Sequence, residues 1–108
     1  MVKCSSVPVV FCALLVMVSF SMANAAGKPD GKAGFNKYCA SCHPNGGNII
    51  IPAKTLKKAD LEKVGVKSWK DVVGKIRKPG PGMTAFNSQT ISDKEAKEIA
   101  EYVLKTFK

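Results

Sequence analysis

The sequence predicts an all-α domain of four or so short helices. Apolar residues recur at helical spacing in four segments, and two of these segments start with a serine followed three residues later by an acidic residue. The apolar run at residues 49–51 resembles a strand, but no second strand is available to pair with it. We therefore predict that this run lies in a loop.

The first helix is expected over residues 30–40. Gly31, Gly34, Phe35 and Tyr38 fall on one helical face. Two glycines lower the helix propensity of this segment. Their position on the apolar face indicates that another helix approaches closely there.

Three further helices are expected before the chain ends. One spans residues 55–64, and the next begins after Ser68, with Asp71 in a short capping box, and stops at the Pro-Gly run of residues 79–82. The last follows Ser92, with Glu95 completing a capping box. Its apolar positions are Ala96, Ile99, Ala100, Val103, Leu104 and Phe107.

Residues 1–25 have the pattern of a secretory signal peptide. Lys3 precedes an apolar stretch, and Ala23-Asn24-Ala25 provides a cleavage site. The alternative is a retained anchor, but the apolar stretch is shorter than the roughly 20 residues of a spanning helix. We expect a mature domain of residues 26–108, exported and without a stable membrane anchor.

The chain is strongly basic. It has 17 Lys and Arg against 8 Asp and Glu, a formal net charge of +9. Such a charge steers a protein towards acidic surfaces. Nucleic acid is not an expected partner, because the chain is predicted to be exported and its basic residues are not interleaved with aromatic ones.

Residues 39–43, Cys-Ala-Ser-Cys-His, form the attachment signature of a c-type haem. Cys39 and Cys42 are placed to bind the two vinyl groups, and His43 to face the iron. A redox dithiol or half of a zinc site are the alternatives. A zinc site would need further ligands, and a redox dithiol usually accompanies a βαβ unit, which the sequence does not predict.

The axial ligands follow by elimination. His43 is the only histidine, and Met83 is the only methionine outside the predicted signal peptide. Haem iron commonly takes a methionine opposite a histidine, which raises its reduction potential; a core methionine filling a gap is the alternative. A low-spin His43/Met83 iron leaves no vacant position and suits one-electron transfer. We expect a backbone carbonyl in residues 48–52 to accept the His43 N–H.

Several segments match one known family in order along the chain. They are Gly31 and Phe35, residues 39–43, residues 46–58, residues 83–86, and finally Ser92-Asp93 and Tyr102-Val103. In these segments the chain resembles class I cytochromes c, and within them cytochrome c6 and c6-like bacterial monohaem cytochromes. The resemblance implies that the first and last helices cross at Gly31 and Phe35. It also implies one covalent haem in a mobile one-electron carrier, which is not an enzyme.

The chain departs from this family at two places. Thr84 stands where the family has a proline after the axial methionine, and residues 87–91 replace a segment that contains an arginine. Photosynthetic members are thought to dock through that arginine. We therefore expect a respiratory carrier in the periplasm of a Gram-negative bacterium, monomeric, with transient acidic-surfaced redox partners. The alternatives are a haem subunit or docking module of a larger redox complex, and a haem sensor or enzyme with a displaceable Met83.

Eight further residues are expected in the haem pocket. They are Asn48, Pro52, Lys54, Leu56, Leu61, Trp69, Ile76 and Phe86. Trp69, Lys54 and Arg77 are also candidates for contacts with the haem propionates.

Overall fold

The structure is a computed structural model that describes residues 27–108. The chain there forms four α-helices: α1 Gly31–Tyr38, α2 Lys58–Lys63, α3 Trp69–Arg77 and α4 Asp93–Thr106, with a short 3₁₀ turn at Pro44–Gly46. No residue in this range belongs to a strand, and the run at residues 49–51 is irregular. The all-α prediction is confirmed. The predicted signal peptide lies outside the described residues.

None of the helices in residues 27–108 is long and apolar enough to span a bilayer.

Side-chain caps account for where three helices begin. Asp30 Oδ1 accepts a hydrogen bond from Lys32 N at 2.9 Å at the start of α1. Ser68 and Asp71 form the complete capping box expected for α3. At α4 only the serine half is formed: Ser92 Oγ accepts from Glu95 N at 3.2 Å. The second hydrogen bond of the predicted capping box, from the Ser92 backbone N–H to the Glu95 carboxylate, is absent. The Glu95 carboxylate is instead directed towards α1, near Gly34.

Helix α2 is shorter than the sequence predicts. It begins at Lys58. The N-cap residue is Lys57, whose side chain makes no capping hydrogen bond. The Thr55 hydroxyl donates to Asp60 Oδ2 and accepts from Lys57 N at 3.2 Å. These local hydrogen bonds compete with helix formation, so residues 55–57 remain in a turn.

Helices α1 and α4 pack together through the two glycines of α1. A Cβ on Gly31 would collide with the Glu98 carbonyl of α4, and one on Gly34 would lie 2.7 Å from Ile99 Cγ1. The Phe35 ring packs against Tyr102 with ring centroids 5.5 Å apart. The close approach expected at the glycine face is confirmed.

The core lies between α1, α3 and α4. Its buried members are Phe35, Leu61, Val66, Val72, Ile76, Ile91, Ala96, Ile99, Ala100 and Val103. Several of these residues also face a cavity, so the core and the candidate site share one set of side chains.

Candidate functional site

An apolar cavity of about 500 Å³ opens beside this core. The four helices contribute Phe35, Leu61, Val72, Ile76, Ile99 and Val103 to its wall, and loops after α1 and α3 complete it. Its size is typical of a site for an organic cofactor.

The cysteine motif forms a tight turn in the wall of this cavity. Cys39, Cys42 and His43 all line it. Cys39 O accepts from Cys42 N at 3.2 Å and from His43 N at 2.9 Å, so one carbonyl closes the turn. Cys42 O then accepts from Ile49 N at 3.0 Å, which ties the following loop back to the motif. Both cysteine side chains are therefore held on one side of the cavity.

The two thiols differ in their surroundings. Cys39 is half-buried and Cys42 is exposed. Burial, with a smaller contribution from Cys42, raises the pKa of the Cys39 thiol to about 11. The Cys39 thiol is therefore uncharged at neutral pH.

The His43 ring is oriented by a backbone oxygen. His43 Nδ1 lies 2.7 Å from Gly47 O. Because a carbonyl can only accept, Nδ1 carries the proton and Nε2 keeps its lone pair free for a metal. The acceptor is a backbone carbonyl, as expected, but it lies one residue before the predicted range of 48–52. Asn48 explains the shift: its Oδ1 accepts from Ile50 N and Ile51 N, which starts the next turn at residue 48.

Met83 enters the same cavity from the loop between α3 and α4. It is half-buried and follows Gly82, whose φ of +86° is in the left-handed region that favours glycine. Met83 N lies 3.4 Å from Gly80 O, a long hydrogen bond inside the loop. A thioether in this loop is available as a soft ligand to a metal in the cavity.

Six of the eight predicted pocket residues line the cavity. They are Asn48, Lys54, Leu56, Leu61, Ile76 and Phe86. Asn48 also fixes the loop around it, since its Nδ2 donates to Lys54 O at 2.9 Å.

Pro52 and Trp69 lie outside the cavity wall, contrary to the prediction. Pro52 is exposed, because the turn at Asn48 directs Ile50 and Ile51 towards the cavity instead. The Trp69 ring packs under Lys97 of α4, with Lys97 Nζ 5.0 Å from the ring centroid.

Arg77 also lies outside the wall, so its predicted contact with a haem propionate is not supported. Its guanidinium instead donates to Phe86 O and to Asp93.

Sequence reasoning missed other residues in the wall. Lys63, Lys75 and Asp60 bring charge to it, and Ile50, Val66 and Ile91 bring apolar surface. Ile91 had a readable signal: it precedes the N-cap Ser92, and an apolar residue there commonly packs against the fourth residue of the helix, here Ala96. Both side chains are fully buried.

The cavity suits a covalently bound porphyrin. Its walls are mostly apolar, two thiols line it, and the imidazole of His43 has Nε2 available. Residues 27–108 contain no group of three or more His, Cys, Asp or Glu side chains that could hold a metal ion by itself. With the cysteine spacing, these features define the class of protein: a c-type cytochrome, which binds one haem covalently.

Comparisons with known proteins narrow the class. A family model described as "Cytochrome C oxidase, cbb3-type, subunit III" matches residues 26–103. The cytochrome c6 of Synechocystis is 41% identical over 96 residues, which cover 86% of this chain and 79% of that protein. The cytochrome c6 of Nostoc is 37% identical, with 85% and 82% covered.

Solved structures agree with these sequence matches. OmcF, an outer membrane cytochrome of Geobacter sulfurreducens, is 45% identical with a TM-score of 0.71, covering 72% of this chain and 99% of that chain. Cytochrome c6C of Synechococcus is 33% identical with a TM-score of 0.65, covering 69% and 90%. The chain therefore belongs to the class I c-type cytochromes of the cytochrome c6 type. Its relatives are electron carriers and not enzymes, and it is an electron-carrying cytochrome.

Proposed function

We propose that this chain is a soluble periplasmic carrier of single electrons, with a haem tethered by Cys39 and Cys42 and ligated by His43 and Met83. The observation that carries the proposal is that these four side chains line one cavity. The haem supplies a reversible one-electron couple when bound.

The chain's own residues would keep that couple free of side reactions. The Gly47 carbonyl oxygen lies 2.7 Å from His43 Nδ1 and accepts the hydrogen bond that keeps the proton there. This bond fixes the orientation of the ring, which presents Nε2 to the cavity. Met83 would supply the second protein ligand, and a haem iron held by both His43 and Met83 would have no free position for oxygen or peroxide. A thioether also favours reduced iron more than a second imidazole does, so we expect a raised reduction potential.

Spectroscopy of the oxidised holoprotein tests the ligand pair. We expect a weak near-infrared band from thioether-to-iron charge transfer, and loss of that band in Met83→Ala. Thr90→Ala, at an exposed position outside the cavity wall, is the control and should keep the band. If the oxidised protein binds cyanide readily at neutral pH, or the reduced protein binds carbon monoxide readily, the closed iron site is wrong.

The periplasmic location is supported by the signal pattern of residues 1–25. Expression of the full chain in a Gram-negative bacterium should place a holoprotein beginning at Ala26 in the periplasmic fraction. Mass spectrometry would identify that end. A product that keeps residues 1–25 and sediments with membranes would contradict this part of the proposal.

The partners would be respiratory redox proteins with acidic surfaces. Lys54, Lys63 and Lys75 line the cavity, so positive charge lies close to the expected haem. Complexes guided by such charge typically have small, polar interfaces and are transient.

A second candidate is a haem subunit of a larger redox complex. The description of the matched family model favours it. Size-exclusion chromatography of the native extract separates the two candidates: a carrier elutes as a monomer, and a subunit elutes with its complex.

A further inference from the structure

Arg77 is the only arginine in the chain, although the chain has 17 basic residues. It lies in the last turn of α3, and its guanidinium donates in two directions. Nη1 donates to Phe86 O at 3.1 Å, and Nη2 donates to Asp93 Oδ1 at 2.8 Å. The Arg77 side chain is 21% exposed, so these bonds are partly shielded from water.

A second contact ties Phe86 to the same end of α3. Phe86 N donates to Ile76 O at 2.9 Å. Both backbone polar groups of Phe86 are thus bound to adjacent residues of α3, its N–H to Ile76 and its carbonyl to Arg77. The loop of residues 78–85, which carries Met83, is closed at its base by this pair of bonds.

The loop itself offers few other restraints near Met83. Its prolines, Pro79 and Pro81, precede Met83, and no proline follows it before Phe86. Thr84 and Ala85 are exposed and keep the backbone freedom that a proline would remove. The position of Met83 therefore depends strongly on where Phe86 is held.

We infer that Arg77 is a positioning residue for the Met83 ligand. It fixes the carbonyl of Phe86 and so holds the Met83 thioether at the cavity, where it excludes external ligands. This inference rests on the proposed ligation by Met83.

The geometry explains why an arginine is required. Its planar group presents several N–H donors in a rigid fork, and here it bonds one acceptor at the loop base and another at the start of α4. A lysine is a point charge on a flexible stem and would hold either acceptor less firmly. The bond to Phe86 should matter more than the bond to Asp93, whose side chain is 87% exposed.

Cyanide binding to the oxidised holoprotein tests the inference. Removing a hydrogen bond from a charged donor should let cyanide displace the thioether more easily, and for Arg77→Gln we expect about tenfold tighter cyanide binding. The near-infrared thioether band should weaken in parallel. Arg77→Lys should fall between this variant and the unsubstituted protein, and it replaces Arg77→Gln as the test if that variant yields no holoprotein.

Two matched controls separate positioning from other effects. Lys78→Gln removes the same charge from the next, exposed residue and should bind cyanide as the unsubstituted protein does. Ala100→Gly weakens buried packing in α4, away from the cavity wall. It should lower the melting temperature and leave cyanide affinity unchanged.

Three results would overturn the inference. If Arg77→Gln and Lys78→Gln bind cyanide equally while the unsubstituted protein shows the thioether band, Arg77 does not position Met83. If Ala100→Gly tightens cyanide binding as much as Arg77→Gln, general loosening explains the effect. If the unsubstituted protein lacks the band, the proposed Met83 ligation fails and this inference fails with it.

Discussion

Gly34 of α1 and Ile99 of α4 are in direct contact, with no room for a side chain between them. A Cβ on Gly34 would lie 2.7 Å from Ile99 Cγ1 and 2.8 Å from its Cδ1. Ile99 is 1% exposed and also lines the cavity, so it cannot move aside without disturbing the site. The glycine therefore sets the distance between the two helices and, through Ile99, the shape of one cavity wall.

This contact predicts opposite effects for two alanine substitutions. Gly34→Ala should destabilise the holoprotein by about 1–3 kcal/mol, because the added methyl overpacks the helix contact. Gly74→Ala, at an exposed position of α3 where a Cβ would meet no atom within 4 Å, should stabilise it by about 0.5–1 kcal/mol. Denaturant unfolding measures both. Equal stability of the two variants would show that α1 and α4 can separate without cost.

The capping box of α3 predicts a pH-dependent stability. Backbone N–H groups of Lys67 and Ser68 donate to Asp71, and these bonds, with the Ser68 hydroxyl, hold the Asp71 pKa below its ordinary 3.8. A lowered carboxyl pKa contributes stability that is present above the ordinary value and is lost as pH falls through the folded-state value. Asp71→Asn should therefore unfold more easily than the unsubstituted protein at neutral pH, and the difference should shrink below pH 3.8.

A surface carboxylate provides the control for that measurement. Glu62 lies 4.0 Å from Lys58 in an exposed ion pair. Glu62→Gln should change the free energy of unfolding by less than about 0.5 kcal/mol. If the loss of unfolding free energy in Asp71→Asn does not vary with pH, the charge of Asp71 does not stabilise the start of α3.

The helices could be predicted where cap chemistry and apolar period agreed. Ser68 with Asp71 located the start of α3 to the residue, and Ser92 did so for α4. The prediction failed where a side chain had two possible partners. Thr55 begins the segment for which the sequence predicts a helix, but its hydroxyl bonds Asp60 and keeps the chain in a turn.

The cavity wall was harder to predict than the motif. The cysteine spacing and the single histidine indicate the chemistry of residues 39–43 directly, whereas a helix period shows which residues share a face but not what that face meets. Trp69 illustrates this limit: its aromatic ring suggested a pocket, and packing placed it against Lys97. The fully buried Ile91 shows the same limit: its place before the N-cap Ser92 indicates packing against α4, but not that it also lines the cavity.

Trp69 and Phe86 provide a test of where the wall lies. Trp69→Phe should leave the haem absorption spectrum and midpoint potential unchanged and cost about 0.5–1 kcal/mol of stability, the typical strength of its contact with Lys97. Phe86→Leu, at a residue that lines the cavity, should alter the spectrum and the potential. Visible spectra with redox titrations measure both. If the midpoint potential shifts in Trp69→Phe but not in Phe86→Leu, Trp69 belongs to the haem pocket after all.

The distribution of lysines predicts which charges guide electron transfer. Lys75 lines the haem cavity, whereas Lys94 lines a separate cleft with Lys28 and Lys97. Steering acts mainly through charges near the point of contact and is screened over about 10 Å at 0.1 M ionic strength. Lys75→Glu should therefore slow second-order electron transfer to an acidic redox protein by about threefold to tenfold at low salt. Lys94→Glu carries the same change of charge and should slow it less, and stopped-flow rates across ionic strengths would compare them. Rates of the unsubstituted protein that do not fall with salt, or equal losses in the two variants, would show that lysines at the cavity do not guide the encounter.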